Sequence, residues 1–317
     1  MKNVNIGLDV GGMSIKAGIV DKDGNILFKS SRPTTFINEG EDFINNVRSL
    51  IDEFIEYSKS HDLKINSIGF GIPGMINNKT GCIDYANNLN FKYPFKIRDR
   101  IKDYGFKVTM SNDANVACLA EQKFGAAKGK KDAIMLTLGT GVGGGIVIDN
   151  KLYEGNEGKG AELGHFVIEV DGYPCTCGRK GCLESYASAT ALLRFTKEAM
   201  NMHKDSLMWE YCNNNIDNVN GLTSFECAKK GDKAANEVVD KYVMYLGEGI
   251  LNLCNIFRPE VIIIGGGVSN QKDYFINKLK DYCAKWHYGY KNTPVVDICV
   301  AKLTNDAGII GAASLND

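Results

Sequence analysis

The sequence has almost no excess of charge of either sign. Its 37 lysine and arginine residues are balanced by 38 aspartate and glutamate residues, which gives a formal net charge of −1. Proteins that bind nucleic acid through its phosphates usually carry a basic surface. The balance therefore favours no nucleic-acid partner, and a hydrophobic content of 44% excludes a wholly disordered chain.

Long apolar runs are also missing. No run approaches the ~20 apolar residues that a membrane-spanning helix requires. The first residues, 1–6, lead directly into a strand pattern and lack the apolar core of a signal peptide. We therefore expect no membrane partner and a cytoplasmic protein.

Proline is scarce, at 6 residues, and no proline-rich or serine-rich linker divides the chain. A length of 317 residues nevertheless suggests about two domains. Residues 75–105 are expected to be largely irregular apart from a short helix near 95–104. Elsewhere apolar periodicity predicts an α/β protein, with strands at 4–10, 15–20, 26–30, 66–72, 107–110, 133–138, 145–149, 261–267 and 295–301 and helices at 41–60, 184–202, 223–257 and 306–314.

Glycine is abundant, at 35 residues, and it clusters in two turns that each lie between two strand patterns. The first turn is Gly11-Gly12 and the second is Gly139-Thr140-Gly141-Val142-Gly143-Gly144. This weak internal repeat indicates two domains of related design, packed together with a hinge between them.

The second turn contains the spacing G-x-G-x-x-G of dinucleotide-binding proteins. That fingerprint requires a helix after the glycines, whereas residues 145–149 form a strand pattern. Two glycine hairpins instead suit phosphate oxygens, because backbone N–H groups can approach a ligand without a Cβ in the way. Asp9 could hold Mg²⁺ through water and Lys16 could neutralise phosphate charge. Tight hairpins with ordinary surface charges are the alternative.

Three of the ten cysteines lie within eight residues: Cys175, Cys177 and Cys182. In a large chain without a signal peptide, this spacing favours a metal site over a disulfide framework. His165 would complete the four nitrogen and sulfur ligands of a structural zinc ion. Free thiols or a redox Cys-x-Cys pair are the alternatives.

Three carboxylates accompany these motifs. Asp113 follows a strand and opens a helix, so it is either a helix cap or a general base at the mouth of a cleft. Glu162 lies three residues before His165, and Glu184 lies two residues after Cys182. A shared zinc ion would bring the two glutamates together, and paired carboxylates suit the neighbouring hydroxyls of a sugar. As isolated residues they would be ordinary solvated acids.

Together these motifs resemble the ROK family, which contains repressors and sugar kinases of the actin-like sugar kinase superfamily. The resemblance covers nearly the whole chain. Its most specific part combines Glu162-Leu-Gly-His165 with Cys175-x-Cys177-Gly-x-x-Gly-Cys182-x-Glu184. The other matching motifs are Asp9-Val-Gly-Gly with Lys16, Gly71-Ile-Pro-Gly74, Asn112-Asp-Ala-Asn115, the turn at 139–145, Gly265-Gly-Gly267 and Asp306-Ala-Gly308.

The resemblance implies an α/β, two-domain actin-like (ribonuclease H-like) fold, with ATP and sugar in an interdomain cleft. The smaller domain would comprise residues 1–115 and 303–317, and the larger domain, with the zinc loop, residues 116–302. A dimer or tetramer is expected by analogy with the family.

The resemblance also implies a role for each site residue in an ATP-dependent hexose kinase. Asp113 would take the proton from the sugar 6-hydroxyl, which then attacks the γ-phosphorus of Mg-ATP. The sugar would be held by Gly74, Asn88, Asn112, Asp113, Glu162, His165 and Glu184. The nucleotide would be held by Asp9, Gly11, Gly12, Lys16, Gly139, Thr140, Gly141, Gly265, Gly266 and Gly267. The structural zinc would be bound by His165, Cys175, Cys177 and Cys182, with the second ring nitrogen of His165 facing the sugar.

Two residues depart from the family pattern. Met13 stands where a threonine commonly follows the first glycine pair, and Ser111 stands where glucokinase-like members often have glutamate. Glucose is the expected acceptor, with N-acetylmannosamine, N-acetylglucosamine, allose and fructose as alternatives. A sugar-sensing regulator is a second class of function, although the early position of Asp9 leaves no room for a preceding DNA-binding domain. A zinc-stabilised oxidoreductase is disfavoured by the strand after the glycines.

Overall fold

A five-stranded sheet forms the centre of the N-terminal part of the chain, in a computed structural model that describes residues 1–86 and 89–316. The strands of this part are β1 (Lys2–Val10), β2 (Ser14–Asp21), β3 (Ile26–Pro33), β4 (Leu63–Ile72), β5 (Met75–Asn77), β6 (Cys82–Tyr85), β7 (Phe95–Lys96) and β8 (Lys107–Asn112). The main sheet has the order β3-β2-β1-β4-β8. β1 pairs antiparallel with β2 and parallel with β4, and β4 pairs parallel with β8.

Strands β5, β6 and β7 form a separate three-stranded sheet within the segment that was expected to be irregular. These strands have only two to four residues each, which is too short for an alternating pattern to be visible in the sequence. The helices of the same part are α1 (Glu41–Ser60), α2 (Ile97–Ile101) and α3 (Asp113–Lys123). Phe43, Val47 and Phe54, on the apolar face of α1, are fully buried in one cluster with the side chains of β1, β2, β4 and β8.

A second five-stranded sheet repeats the strand order of the first. Its strands are β9 (Ala133–Leu138), β10 (Val142–Ile148), β11 (Lys151–Leu152), β12 (Val261–Gly265) and β13 (Asp297–Val300), in the order β11-β10-β9-β12-β13. In both sheets, three consecutive strands are followed by two that the chain adds beside the first strand. The topology therefore matches the internal repeat of the sequence.

The remaining helices are α4 (Glu184–Ala187), α5 (Ala189–Met202), α6 (Leu207–Tyr211), α7 (Thr223–Lys229), α8 (Lys233–Phe257), α9 (Lys272–Trp286) and α10 (Ala307–Ala313). The helix predicted over 184–202 is interrupted at Ser188, whose extended ψ of 164° ends α4 and whose side chain caps α5. The helix predicted over 223–257 is interrupted at Gly231, which has a φ of 89°. Helix α9 was not predicted.

The chain divides into two compact units, Met1–Met135 with Gly145–Ala161 and Lys302–Asp317, and Leu136–Gly144 with Glu162–Ala301. The division passes through β9 and β10, which explains why no linker is visible in the sequence. The domain bounds of 1–115 with 303–317 and of 116–302 stay a prediction. No helix within the described ranges combines the length and the apolarity needed to cross a membrane.

Candidate active site

The first glycine hairpin places Asp9 near the end of β1, directly opposite Lys16 on β2. The start of α10 comes close to the Asp9 carboxyl, since a Cβ added at Gly308 would lie 2.5 Å from its Cγ. Burial and, to a smaller extent, the neighbouring Asp113 raise the pKa of Asp9 to about 6, against the opposite effect of Lys16. The Asp9 carboxyl, buried near a second carboxyl, is suited to a bound cation.

The turn of this hairpin is supported by Thr34, which follows β3. The Gly11 N–H donates to the Ser14 carbonyl at 2.9 Å, and the Met13 side chain is 90% exposed. The buried Thr34 donates its hydroxyl to the Gly11 carbonyl at 2.7 Å and its N–H to the Met13 carbonyl at 3.0 Å. Sequence reasoning missed Thr34, because it lies more than twenty residues from the turn that it holds.

Asp113 is the first residue of α3, but the helix is capped by Asn112. The Asn112 side-chain oxygen accepts from the N–H groups of Ala114 at 2.9 Å and Asn115 at 3.4 Å. Its side-chain nitrogen donates to the Gly74 carbonyl at 3.2 Å, at the end of β4. Burial raises the pKa of the Asp113 carboxyl. Asp113 Oδ1 also accepts from the Ala114 N–H at 2.9 Å. Because Asn112 provides the cap, the Asp113 carboxyl suits the role of a base, and a raised pKa makes it a stronger one.

The strand that leads to Asp113 is held by a glutamate from a distant segment. The fully buried Ser111 donates its hydroxyl to Oε1 of Glu154 at 2.5 Å. Burial raises the pKa of Glu154, and the bond from Ser111 acts in the opposite direction. The segment of Glu154 is tied to β6 by an ion pair of 3.3 Å between Lys159 and Asp84. Sequence reasoning missed Glu154. The only signal was Ser111, which stands where glucokinase-like members of the family often have glutamate.

In the second unit, His165, Cys175, Cys177 and Cys182 converge, with their ligand atoms within 4.8 Å of one another. The sulfurs of Cys177 and Cys182 are 3.7 Å apart, and Cys175 Sγ is 3.5 Å from Nδ1 of His165. Tetrahedral zinc, with Zn–S of about 2.3 Å and Zn–N of about 2.0 Å, separates two sulfurs by about 3.8 Å and a sulfur from a nitrogen by about 3.5 Å. Both the donor set and its spacing therefore fit zinc.

The Glu184 carboxylate lies between this cluster and the second glycine turn. Its Oε1 accepts from the Thr176 hydroxyl at 2.9 Å, and its Oε2 accepts from the Val142 N–H at 3.0 Å. The Glu184 N–H donates to the Gly164 carbonyl at 2.8 Å, so that the segments 162–165 and 182–184 run side by side, as the shared cluster predicts. Glu162 is exposed at the edge of this arrangement.

The two glycine turns of the second unit also meet. Gly266 has a φ of 82°, and a Cβ added to it would lie 2.4 Å from the Leu138 carbonyl, next to Gly139. The start of α5 holds the first of these turns, since Ala189 N–H donates to the Gly139 carbonyl and Thr190 Oγ1 to the Thr140 carbonyl, each at 2.8 Å. The expected nucleotide residues of this unit are thus close together.

The predicted site residues are shared between the units. The first unit contains Asp9, Gly11, Gly12, Lys16, Gly74, Asn112 and Asp113, and the second contains Gly139, Thr140, Gly141, Glu162, His165, Glu184, Gly265, Gly266 and Gly267 with the three cysteines. Asn88, the remaining expected sugar contact, lies outside the described residues.

Two sheets with the same strand order, each with a strand–glycine–strand hairpin, and a Cys₃His cluster whose spacing fits zinc define the class: an α/β protein of two related units with a candidate metal site. The sequence model of the ROK family matches residues 5–317. The chain belongs to the ROK family.

Known proteins are similar to most or nearly all of this chain. The glucokinase of Thermotoga maritima is 36% identical over 315 residues, which cover 98% of this chain and 96% of that protein. The structure of a ROK family glucokinase from Streptomyces griseus in complex with glucose and AMPPNP is 32% identical, covers 98% of each chain and matches with a TM-score of 0.79. The xylose repressor of Caldicellulosiruptor bescii is 30% identical over 87% of this chain and 69% of its own length. The expected two-domain actin-like sugar kinase fold is confirmed by this similarity.

Proposed function

We propose that the chain transfers the γ-phosphate of ATP to the 6-hydroxyl of glucose, with Asp113 as the general base. Function as an ATP-dependent sugar kinase of the glucokinase type is supported by glucokinase relatives that match almost the entire chain at 34–36% identity. The observation that carries the catalytic proposal is the Asp113 carboxyl, whose pKa is raised by burial and which is near enough to Asp9 to raise the pKa of that carboxyl as well.

The proposed base accepts a proton, and the phosphoryl group passes directly from ATP to the sugar oxygen. Phosphoryl transfer depends on position and on neutralised charge more than on covalent help from the protein. Asp113 would orient the sugar 6-hydroxyl and take its proton as the oxygen attacks the γ-phosphorus. Asn112 fixes the start of α3 through its bonds to Ala114 and Gly74, so the base has a defined direction.

The nucleotide residues fit the needs of a triphosphate. Lys16 supplies a positive charge opposite Asp9, and the turns at Gly11-Gly12, Gly139-Thr140-Gly141 and Gly265–Gly267 present backbone without obstructing side chains. Asp9 would hold Mg²⁺, because its carboxyl is buried near a second carboxyl. The positive charge of Lys16 only partly balances the negative charge of this carboxyl. The ion, when bound, neutralises phosphate charge.

The sugar residues of the second unit depend on the Cys₃His cluster. Nδ1 of His165 is the ring nitrogen that faces Cys175, which leaves Nε2 for a sugar hydroxyl. We propose that His165, Cys175, Cys177 and Cys182 hold a structural zinc ion, which fixes the ring and loop in position. Glu162, Glu184, Gly74, Asn112 and Asn88 would complete the sugar contacts.

The proposal includes a homodimer or homotetramer, by analogy with the family. It includes no nucleic-acid partner, which is in line with the net charge of −1. A sugar-sensing regulator without catalysis is the second candidate function, since a xylose repressor is 30% identical to most of the chain.

ADP release with Mg-ATP should be measured against glucose, N-acetylmannosamine, N-acetylglucosamine, allose and fructose. We expect strong turnover on glucose. Turnover on another hexose alone would replace the acceptor, and sugar binding without turnover on any of them, by a folded and zinc-loaded protein, would favour the regulator.

A further inference from the structure

Glu184 connects two segments that have separate roles in the proposed function. Thr176, whose hydroxyl bonds Oε1 of Glu184 at 2.9 Å, lies between the metal ligands Cys175 and Cys177. Val142, whose N–H bonds Oε2 at 3.0 Å, directly follows the glycine turn at 139–141. One carboxylate thus joins the metal-binding loop to the turn proposed for the nucleotide.

The carboxylate is packed tightly against that turn. A Cβ added at Gly141 would lie 2.3 Å from Oε2 of Glu184, so there is no space for a side chain between them. On the other side, Glu184 begins α4 only two residues after Cys182, which is fully buried. The place of the carboxylate therefore depends on the loop that ends at Cys182.

The rest of the turn is held from the same direction. The Gly139 and Thr140 carbonyls accept from Ala189 and Thr190, at the start of α5. The segment 184–190, which follows the metal loop without a break, thus supplies three hydrogen bonds to the turn at 139–142. An ordered metal loop and an ordered turn are linked through this segment.

Thr176 is the donor that makes this link independent of the thiol state. Cys175 Sγ also lies 3.6 Å from Oε1 of Glu184. A metal-bound cysteine is a thiolate with no proton to donate, so this sulfur cannot hold the carboxylate in the loaded protein. The Thr176 hydroxyl can do so in either state, provided that the loop keeps its shape.

We propose that Glu184 is a positioning residue for the nucleotide, held by Thr176, and that ATP affinity therefore depends on the order of the metal loop even when no sugar is bound. This inference rests on the proposed function, in which the turn at 139–141 binds ATP. Loss of the metal loosens residues 175–182, withdraws Thr176 from Glu184 and releases the carboxylate from Val142.

The test compares Thr176→Val, which removes the hydroxyl at nearly constant volume, with Thr176→Ser, which keeps it. Mg-ADP is titrated by calorimetry into each protein without sugar, and zinc per chain and melting temperature are measured alongside. We expect Thr176→Val to weaken Mg-ADP binding by about 3- to 10-fold, the scale of one ordinary hydrogen bond. Thr176→Ser should stay within about 2-fold of the parent, and both should keep their zinc.

Removal of the metal from the parent protein gives an independent measurement, in which Mg-ADP binding should weaken and recover when zinc is restored. The exposed position of Thr176 makes a folding failure of the valine variant easy to recognise from its melting temperature, and the metal arm then decides alone. Unchanged affinity in zinc-loaded Thr176→Val, or in the metal-free parent, would overturn the inference. A zinc-loaded parent that binds no Mg-ADP at all would instead reject the proposed function.

Discussion

The two glycine hairpins differ in what they contribute and in what holds them. The hairpin after β1 carries its own charges, Asp9 and Lys16, and its turn is supported by two hydrogen bonds from Thr34. The turn at 139–142 carries no charged residue, and it is supported by three hydrogen bonds from residues 184–190. In the proposed function, the same local pattern would bind phosphate through charged side chains in one unit and through its backbone in the other.

Another segment of the same unit approaches each hairpin closely. At the first hairpin, α10 comes so near that a Cβ at Gly308 would lie 2.5 Å from Cγ of Asp9. In the second, the corresponding close approach is that of the Glu184 carboxylate to Gly141. The first hairpin should therefore depend on its charged side chains, and the second turn on its contacts with residues 184–190.

Among the variants that compare the two hairpins, the largest effect is expected at Asp9. Asp9→Asn should lower turnover by about a hundredfold or more, because the proposed magnesium carboxylate is lost. It should also stabilise the free protein. The folded-state pKa of Asp9 is raised to about 6 from 3.8, so ionising Asp9 costs stability as pH rises from about 4 to about 6.

Above pH 6 the variant should gain up to about 3 kcal/mol in the free energy of unfolding, and below about pH 4 the gain should vanish. Denaturant unfolding at a series of pH values checks this, with Asp205→Asn at an exposed position as control. An equal effect at all pH values would refute the assigned cause.

The next effect is expected at Gly141. Gly141→Ala places a methyl group 2.3 Å from Glu184 Oε2 and should destabilise the protein by about 1–3 kcal/mol. Gly221→Ala is the matched control, because its Cβ would meet no atom within 4 Å. Thermal unfolding of both variants measures the difference, and an alanine tolerated equally at both positions would contradict the tight packing of Glu184.

The smallest effect is expected at Thr34. Thr34→Val removes the hydroxyl that bonds the Gly11 carbonyl and should cost about 1 kcal/mol of stability, with a KM for ATP raised about 2- to 5-fold. Thr34→Ser restores the bond and should behave like the parent. Steady-state kinetics and melting curves of the two variants test whether the Thr34 hydroxyl stabilises this hairpin. A serine variant with the same loss of stability and ATP affinity as the valine variant would contradict that role.

The features that could be predicted from the sequence are those that depend on local patterns of neighbouring residues. Most of the longer strands, helix α1 and the four residues of the Cys₃His cluster follow from periodicity and spacing over a few residues. Glu154, Thr34 and Thr176 were not predicted, because each acts on a residue that only the fold brings near. Helix interruptions at Ser188 and Gly231 were missed since both flanking stretches keep the same apolar period.

Asp113→Asn tests the central claim most directly, since it changes one atom of the proposed base and keeps its shape. Turnover on glucose is measured together with the affinities for glucose and Mg-ADP. We predict that phosphorylation is abolished while both affinities stay within about tenfold of the parent. Near-normal turnover in this variant would show that Asp113 does not take the proton of the sugar hydroxyl.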